Sequence, residues 1–97
     1  MSAPALTPVS TPDEQSDLDR LVAALRARID DLDRSLLHQI QERRELSRRI
    51  QAARVAAGGV RIELSREREV HDMYAEVLGR EGTALATAVL RSCRGWV

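Results

Sequence analysis

Several residue types are scarce in this chain of 97 residues, and each shortage excludes a class of protein. A lone cysteine, Cys93, provides neither an intrachain disulfide nor a cysteine-based zinc site. The chain has no Phe and only two aromatic residues, Tyr74 and Trp96. These are too few to form a surface on which nucleic-acid bases stack. The uncharged stretches are too short to span a bilayer.

Excess charge of either sign is also missing, because 15 Lys and Arg residues balance 15 Asp and Glu residues. A general nucleic-acid binder and a polybasic membrane patch both need surplus positive charge. The N-terminus lacks the basic and apolar regions of a secretory signal. We therefore expect no nucleic-acid partner, no membrane partner and a cytoplasmic location.

Proline divides the chain into a tail and one domain. All three prolines, Pro4, Pro8 and Pro12, lie within the first 12 residues, among Ser, Thr and Ala. Residues 1–11 are predicted to form a disordered tail. A chain of this length, with 43% hydrophobic residues, has room for one domain. Residues 12–97 are predicted to form that domain, and it is expected to be helical throughout.

A very long first helix dominates the pattern. Thr11 and Glu14 form a capping-box motif around Pro12, with Ser16 as an alternative cap, and Gly58-Gly59 marks the end of the helix near Ala57. Apolar residues recur at steps of three and four, as in an amphipathic helix. These residues are Val22, Leu25, Ile29, Leu32, Leu36, Ile40 and Ile50.

Two shorter helices are predicted after it. Ser65 is the expected N-cap of the second helix, which has Glu67 in its first turn and extends to about Leu78. Gly79 and Gly82 are expected to bracket a turn. The third helix is then predicted over residues 83–94.

The length of the first helix predicts a partner chain. About 40 residues at about 1.5 Å each give a rod of about 60 Å. A compact domain of this size is about half as wide, and two short helices cannot cover the rod. A symmetric dimer is the simplest way to cover the apolar stripe, and an ordinary two-stranded coiled coil remains the alternative.

Charged residues interrupt this stripe. On a helical wheel centred on Ile29, Arg43 lies at about −40°, Arg54 at about −20° and Arg26 at about +60°. A buried guanidinium needs an opposite charge, which either carboxylates of another helix or a bound anion would supply. Arg43 and Arg54 are about 16 Å apart along the axis, so a small dianion fits between their heads. Arg26 is about 25 Å from Arg43, and an antiparallel partner helix would bring it close.

The segment Ser65-Arg66-Glu67-Arg68-Glu69 forms a second charged cluster at the start of the second helix. It is either a solvated charge ladder or part of a ligand site at a helix N-terminus. His38 and His71 lack metal-ligand spacing, so no metal site is expected.

Four segments in register resemble the all-helical chorismate mutases, in particular their short stand-alone delta subclass. These are residues 25–33 (LRARIDDLD), 42–46 (ERREL), 52–54 (AAR) and 65–69 (SRERE), and residues 57–61 (AGGVR) closely resemble the delta subclass. The resemblance extends from about Leu18 to Leu78 without a gap. It implies an all-α intertwined homodimer of chorismate mutase type II, three helices per chain with a very long first helix, and conversion of chorismate to prephenate without a cofactor.

The resemblance also implies roles for single residues. Arg26 would reach a substrate carboxylate in the partner chain's site, and Arg43 would hold the second carboxylate. Arg54 would contact the ether oxygen and a carboxylate. Glu67 would accept from the substrate hydroxyl and Arg66 would help to orient the substrate. Glu63 is implied more weakly as a substrate-binding residue. Such a site suits a [3,3] rearrangement, which needs a bound conformer and fixed positive charge rather than a nucleophile.

The C-terminus departs from the family pattern. The third helix offers no glutamine for the ether oxygen, and Ser92 or Cys93 would be its small residue. Delta members typically end in a basic Gly/Arg/Leu tail that docks on the first enzyme of the shikimate pathway. Arg94-Gly95 resembles that tail and Trp96-Val97 does not, so this complex is an open expectation.

Two other functions remain open at this point. A relative of the same fold could be an aminodeoxychorismate mutase or an isochorismate pyruvate-lyase. The lyases have a lysine after the first helix, and this chain has none. A non-catalytic helical dimerisation module is the third possibility, although it gives no reason for arginines in the stripe.

Overall fold

The computed structural model describes residues 11–60 and 62–95, and it is helical with no strand over those residues. The helices are α1 (Pro12–Ala56), α2 (Leu64–Leu78) and α3 (Arg80–Arg94). The expected all-α architecture, with a very long first helix, is confirmed. Of the tail predicted over residues 1–11, only Thr11 belongs to the described residues. Arg61 of the delta-like segment and Trp96-Val97 also lie outside them.

The start of α1 forms the predicted capping box. The backbone N–H of Glu14 donates to Thr11 Oγ1 at 3.1 Å, and the backbone N–H of Thr11 donates to Glu14 Oε2 at 3.2 Å. These reciprocal bonds satisfy amides that have no partner within the helix. Thr11 is therefore the N-cap, and the alternative, Ser16, lies inside the helix.

The glycine pair ends α1 as predicted. Gly58 has φ +81°, in the region that favours glycine. The backbone N–H of Gly59 donates to the Arg54 carbonyl at 2.7 Å. A Cβ on Gly59 would lie 3.1 Å from that carbonyl oxygen, so this close return also favours a residue without a side chain. The chain therefore turns back over the last turn of α1, beside Arg54.

The prediction that Ser65 caps α2 is wrong. The helix begins at Leu64, with Glu63 as its N-cap and no capping bond from a side chain. The Glu63 carbonyl already accepts from the Glu67 amide at 3.1 Å, so the helix starts two residues earlier than predicted. The Ser65 hydroxyl donates to Glu63 Oε1 at 3.2 Å. Ser65 therefore lies within the first turn of α2 and contacts the N-cap residue instead of capping the helix itself.

The predicted turn bracketed by Gly79 and Gly82 is also wrong, because α3 begins at Arg80 and includes Gly82. Gly79 alone makes the junction, with φ +69°. Gly82 is buried, and a Cβ there would lie only 2.2 Å from the carbonyl oxygen of Tyr74. Close packing between α2 and α3, rather than turn geometry, therefore requires glycine at this position.

The chain divides into two units, residues 1–35 and residues 36–97. The described part of the first unit, residues 11–35, is a stretch of α1 in which every residue is exposed. The second unit holds the rest of α1 with α2 and α3, and the core lies in those last two helices. The buried apolar residues are Val70, Ala86, Val89, Leu90 and Cys93.

A polar link joins α2 to α3 beside this core. The His71 ring contacts the Glu67 carbonyl oxygen through Nδ1 at 2.8 Å and Thr87 Oγ1 through Nε2 at 3.0 Å. Thr87 in turn donates to the Thr83 carbonyl at 3.1 Å. His71 therefore links α2 to α3 through these hydrogen bonds.

Across residues 11–60 and 62–95, no helix is long and apolar enough to cross a membrane.

Candidate functional site

A cavity of about 280 Å³ opens between the three helices of the second unit. All five site residues predicted for this part of the chain line it. The full lining is Arg43, Leu46, Ser47, Ile50, Gln51, Arg54, Ile62, Glu63, Arg66, Glu67, Val70, Leu90, Cys93 and Arg94. The structure therefore brings together two arginines of the α1 stripe, Arg43 and Arg54, with two residues of the charged cluster of α2, Arg66 and Glu67.

Arg54 is held from two directions at the end of α1. Its Nε donates to the Val60 carbonyl at 2.9 Å, and its Nη1 donates to Glu63 Oε2 at 2.7 Å. The side chain is 34% exposed. Over the described residues, Nη2 has no hydrogen-bond partner. The glycine turn thus supplies the carbonyl that fixes the guanidinium, and one face of that group remains available to a ligand.

Both carboxylate oxygens of Glu63 accept from protein groups. Oε2 pairs with Arg54, and Oε1 accepts from the Ser65 hydroxyl at 3.2 Å. A carboxylate engaged in this way is better suited to orienting Arg54 than to binding a substrate directly. The substrate contact of Glu63 stays a prediction, and its observed contacts favour a positioning role.

Among the described residues, Arg43 differs from Arg54 in having no carboxylate within ion-pair distance. It is half-buried and lines the cavity. Within the described part of the chain it makes no hydrogen bond and no ion pair. Of the two interpretations of the stripe, the internal ion pair therefore describes Arg54, while the described residues provide no such pair for Arg43. Removing a guanidinium partly from water without a counter-charge is unfavourable, and a bound anion would relieve that cost.

Glu67 is held by a residue that the sequence did not indicate. Arg94, in the last turn of α3, donates from Nε to Glu67 Oε1 at 2.8 Å, and its Nη2 makes a second short contact with the same oxygen. The side chains of Glu67 and Arg94 are 18% and 31% exposed. Along the described chain, Oε2 of Glu67 has no partner, so one oxygen is available as a hydrogen-bond acceptor.

Arg66 has features of both structures predicted for the second charged cluster, the ligand site and the solvated charge ladder. It lines the cavity from the first turn of α2, yet its Nη1 pairs with Glu69 at 2.9 Å in an i,i+3 contact. Both of these side chains are more than 60% exposed, at 62% and 64%. An exposed pair of this kind contributes little stability, so breaking it to reach a ligand costs little.

Three further polar residues line the cavity without having been predicted as site residues: Ser47, Gln51 and Arg94. The wheel places Ser47 at about 0° and Gln51 at about +40°, so the stripe already contained a signal for both. Of the two candidates for the small residue of the third helix, Cys93 lines the cavity and is buried, whereas Ser92 is not part of the lining. Arg94 gave no such signal, because its position depends on how α3 packs on α2.

Arg26 lies in the first unit, where it is exposed. Its predicted role requires a partner chain, and it stays a prediction. The ionisable lining of the cavity consists of four arginines and two glutamates, apart from Cys93, which leaves an excess of two positive charges. Among the residues described, no group of three or more His, Cys, Asp or Glu side chains is placed to hold a metal ion. The excess of two positive charges in the cavity lining matches the charge of a small dianion.

Comparison with known proteins gives the family. No family model matches the sequence. The chain is 46% identical over 71 residues to the intracellular chorismate mutase of Mycolicibacterium smegmatis, covering 73% of this chain and 68% of that protein. It is 43% identical over 74 residues to the intracellular chorismate mutase of Mycobacterium tuberculosis, covering 76% and 70%.

A solved structure agrees with these relatives. It is the non-covalent complex of DAHP synthase and chorismate mutase from Corynebacterium glutamicum with a bound transition-state analogue. The matching chain has a TM-score of 0.77 and 34% identity, and the match covers 81% of this chain and 95% of that one. Sequence and structure together assign this chain to the family of all-α chorismate mutases.

Proposed function

We propose that the cavity of the second unit is the active site of this chorismate mutase. As a member of that family, the chain is an isomerase that converts chorismate to prephenate. The observation that carries the proposal is the set of four arginines and two glutamates around about 280 Å³, with Arg54 held in place by the protein. Such a set binds a dianion and presents fixed positive charge to it.

The reaction requires geometry and charge rather than a reactive side chain. In the [3,3] rearrangement the ether C–O bond breaks as a new C–C bond forms, and negative charge grows on the ether oxygen. The enzyme must hold the substrate with its reacting carbons close together. It must also stabilise charge that appears only in the transition state. No cofactor takes part in this mechanism.

Arg54 is the residue best suited to the developing charge. The Val60 carbonyl and Glu63 fix its orientation, so the guanidinium does not need to reorganise during the reaction. Its Nη2 then donates to the ether oxygen. Arg43, which lacks a neighbouring carboxylate, binds a substrate carboxylate.

Arg66 and Glu67, the charged residues of α2 that line the cavity, orient the substrate ring. Oε2 of Glu67 accepts a hydrogen bond from the substrate hydroxyl, because Oε1 already accepts from Arg94. Arg66 exchanges its exposed contact with Glu69 for the substrate.

A homodimer supplies the rest of the site. Large apolar side chains of α1 are exposed in the single chain, among them Ile29 at 55% and Leu32 at 64%. A second copy of α1, running antiparallel, covers this stripe and brings Arg26 of each chain to the site of the other. Arg26 then binds the second carboxylate of the substrate.

Two wider assignments rest on the relatives. The chorismate mutase of the solved neighbour is in complex with DAHP synthase, and we extend that partner, the first enzyme of the shikimate pathway, to this chain as a proposal. A cytoplasmic location is supported by relatives that are named intracellular chorismate mutases.

The test is a direct absorbance assay of chorismate loss, with identification of the product. Prephenate formed without added metal or cofactor supports the proposal. Pyruvate release, or turnover of only an amino-substituted chorismate, would assign the fold to a neighbouring reaction. No turnover of any of these substrates by a folded dimer would leave a dimerisation module.

A further inference from the structure

The last turn of α3 is connected to both other helices of the second unit by side-chain hydrogen bonds. Arg44 Nε donates to the Ser92 carbonyl at 3.2 Å, and Gln51 Nε2 donates to the Cys93 carbonyl at 3.4 Å. The last carbonyls of a helix have no partner within it, so these two α1 side chains satisfy them. The backbone next to Arg94 is thereby fixed relative to α1.

Arg94 extends this connection to α2 through Glu67. Two nitrogens of its guanidinium, Nε and Nη2, contact the same oxygen, Oε1. The pair is mostly withdrawn from water, with side-chain exposures of 31% and 18%. Screening by solvent is weaker at such a pair than at the exposed pairs of α1, so it fixes geometry more strongly.

The arrangement leaves the two oxygens of Glu67 with different tasks. Oε1 is saturated by Arg94, and Oε2 is directed to no other group of the described chain. A carboxylate held by one oxygen and open at the other presents a single acceptor in a defined direction. Without Arg94, the side chain of Glu67 would be able to turn about its χ angles or to pair with another arginine lining the cavity.

We propose that Arg94 is a positioning residue for the rearrangement, acting through Glu67. This inference rests on the proposed function of the site. Arg94 holds Glu67 so that Oε2 meets the substrate hydroxyl, and it prevents Glu67 from neutralising the arginines that bind the substrate carboxylates. The last turn of α3 therefore contributes to the reaction through Arg94, which acts on Glu67 rather than on the reacting atoms.

The first experiment compares Arg94→Gln with Arg91→Gln in the full-length protein. Both changes remove an arginine from the last turn of α3, so they alter the helix dipole similarly. Arg91 is exposed and outside the cavity lining. We expect Arg94→Gln to lower kcat/KM about 10- to 100-fold, the usual range for a lost hydrogen bond to a charged group. Arg91→Gln should change it less than 2-fold.

The second experiment separates positioning from a merely structural role. Rates are expressed per active site, with active sites counted by titration with a transition-state analogue. Arg94→Lys, which keeps the charge but not the fork, should recover part of the loss. In a Glu67→Gln background, Arg94→Gln should cost less than 2-fold, because the group it positions is already changed.

Three results would overturn the proposal. Equal costs of Arg94→Gln in the wild-type and Glu67→Gln backgrounds would mean that Arg94 acts independently of Glu67. Normal kcat and KM per active site would reduce Arg94 to a stabilising residue. Equal rates for Arg94→Gln and Arg91→Gln would remove any role. An inactive wild-type protein would instead refute the proposed function, so the two failures are distinguishable.

Discussion

The first part of α1 and the α2–α3 hairpin are both amphipathic, yet only the hairpin buries its apolar side chains. In residues 11–35 every position is exposed, including Leu25 at 48%. In the hairpin, Val70 is 3% exposed and Ala86 is fully buried. The difference lies in the availability of a surface to pack against, rather than in the sequence pattern.

This contrast separates two kinds of folding information. The hairpin meets its own complement because Gly79 reverses the chain and Gly82 lets the helices approach closely. The N-terminal part of α1 has no such complement in its unit. Fully burying one large aliphatic side chain is worth about 1.5–3 kcal/mol, so the proposed homodimer would gain stability by covering the stripe.

The largest expected effect comes from placing a charge on the stripe. Ile29→Asp should abolish the proposed dimer and much of the helicity, costing more than about 3 kcal/mol per subunit, since the dimer would lose an apolar contact and would have to bury a carboxylate. Sedimentation and circular dichroism at low micromolar concentration measure both. Ser35→Asp adds the same charge at about −120° on the wheel, away from the stripe, and should leave the dimer intact. A folded monomer in the unmodified protein would contradict the contrast drawn here.

Arg54 tests the other region, where the chain positions its own charge. Arg54→Ala should lower kcat by about a hundred- to thousandfold, or about 2.7–4 kcal/mol, with a smaller effect on KM. Arg54→Lys should retain more activity because it keeps the positive charge. The control is Arg48→Ala, which removes an exposed arginine from the same helix and should stay near wild type. A raised KM with normal kcat would make Arg54 a binding residue only.

Mixed dimers test whether Arg26 serves the active site of the partner chain while Arg43 serves the site of its own chain. Arg26→Ala and Arg43→Ala homodimers should each be nearly inactive. After subunit exchange, half of the dimers are mixed and each has one intact site, so activity should recover to about a quarter of wild type.

The matched control for exchange is a mixture of Arg43→Ala with Arg54→Ala. Both residues serve the site of their own chain, so no mixed dimer has an intact site and activity should not recover. Recovery in this control, or none in the first mixture, would mean that Arg26 does not cross to the partner.

Gly82→Ala probes the close packing that lets the hairpin bury its core. The added Cβ would lie 2.2 Å from the Tyr74 carbonyl oxygen, so α2 and α3 must separate. We expect a loss of about 1–3 kcal/mol in the free energy of unfolding, although alanine is the better helix former. Thermal unfolding at fixed protein concentration measures it. Thr83→Ala, an exposed change one residue later, should stay within about 0.5 kcal/mol. A stabilised Gly82→Ala variant would show that the helices do not pack this closely.

The smallest effect is expected at the start of α1. Thr11→Ala removes the capping bond to Glu14 and should cost about 0.5–2 kcal/mol locally, seen as faster hydrogen exchange of the Glu14 amide. Ser16→Ala is the control, because Ser16 is not a cap, and it should not change that exchange rate. Equal acceleration by the two changes would remove the distinction between the caps.

Local signals predicted most of the fold. The capping box at Thr11 and Glu14 and the glycine pair after α1 depend on neighbouring residues alone, and both were correct. Gly82 was misassigned because a contact between helices decides it, the close approach to Tyr74. Ser65 was misassigned because its hydroxyl contacts Glu63, two residues earlier, instead of capping the helix. A single sequence contains the propensity of a residue but not the atoms that will surround it.

The site followed the same division. Arg43, Arg54 and Glu67 were predicted from the wheel and from the family resemblance, and the structure places them around one cavity. Arg94 was missed because it reaches Glu67 only after α3 has packed on α2, 27 residues along the chain. Residues that touch a ligand follow motif spacing, whereas residues that orient them depend on packing.

The order of elements in the chain has a consequence for synthesis on the ribosome. The helix with the uncovered stripe emerges first, and the hairpin with the self-contained core emerges last. At about 5–20 residues per second, the segment from the end of α1 to the end of α3 takes roughly 2–8 seconds to make. During that interval a nascent chain displays apolar surface that neither its own core nor a second copy covers. Chaperone binding, or assembly between neighbouring ribosomes on one message, would protect this surface at that stage.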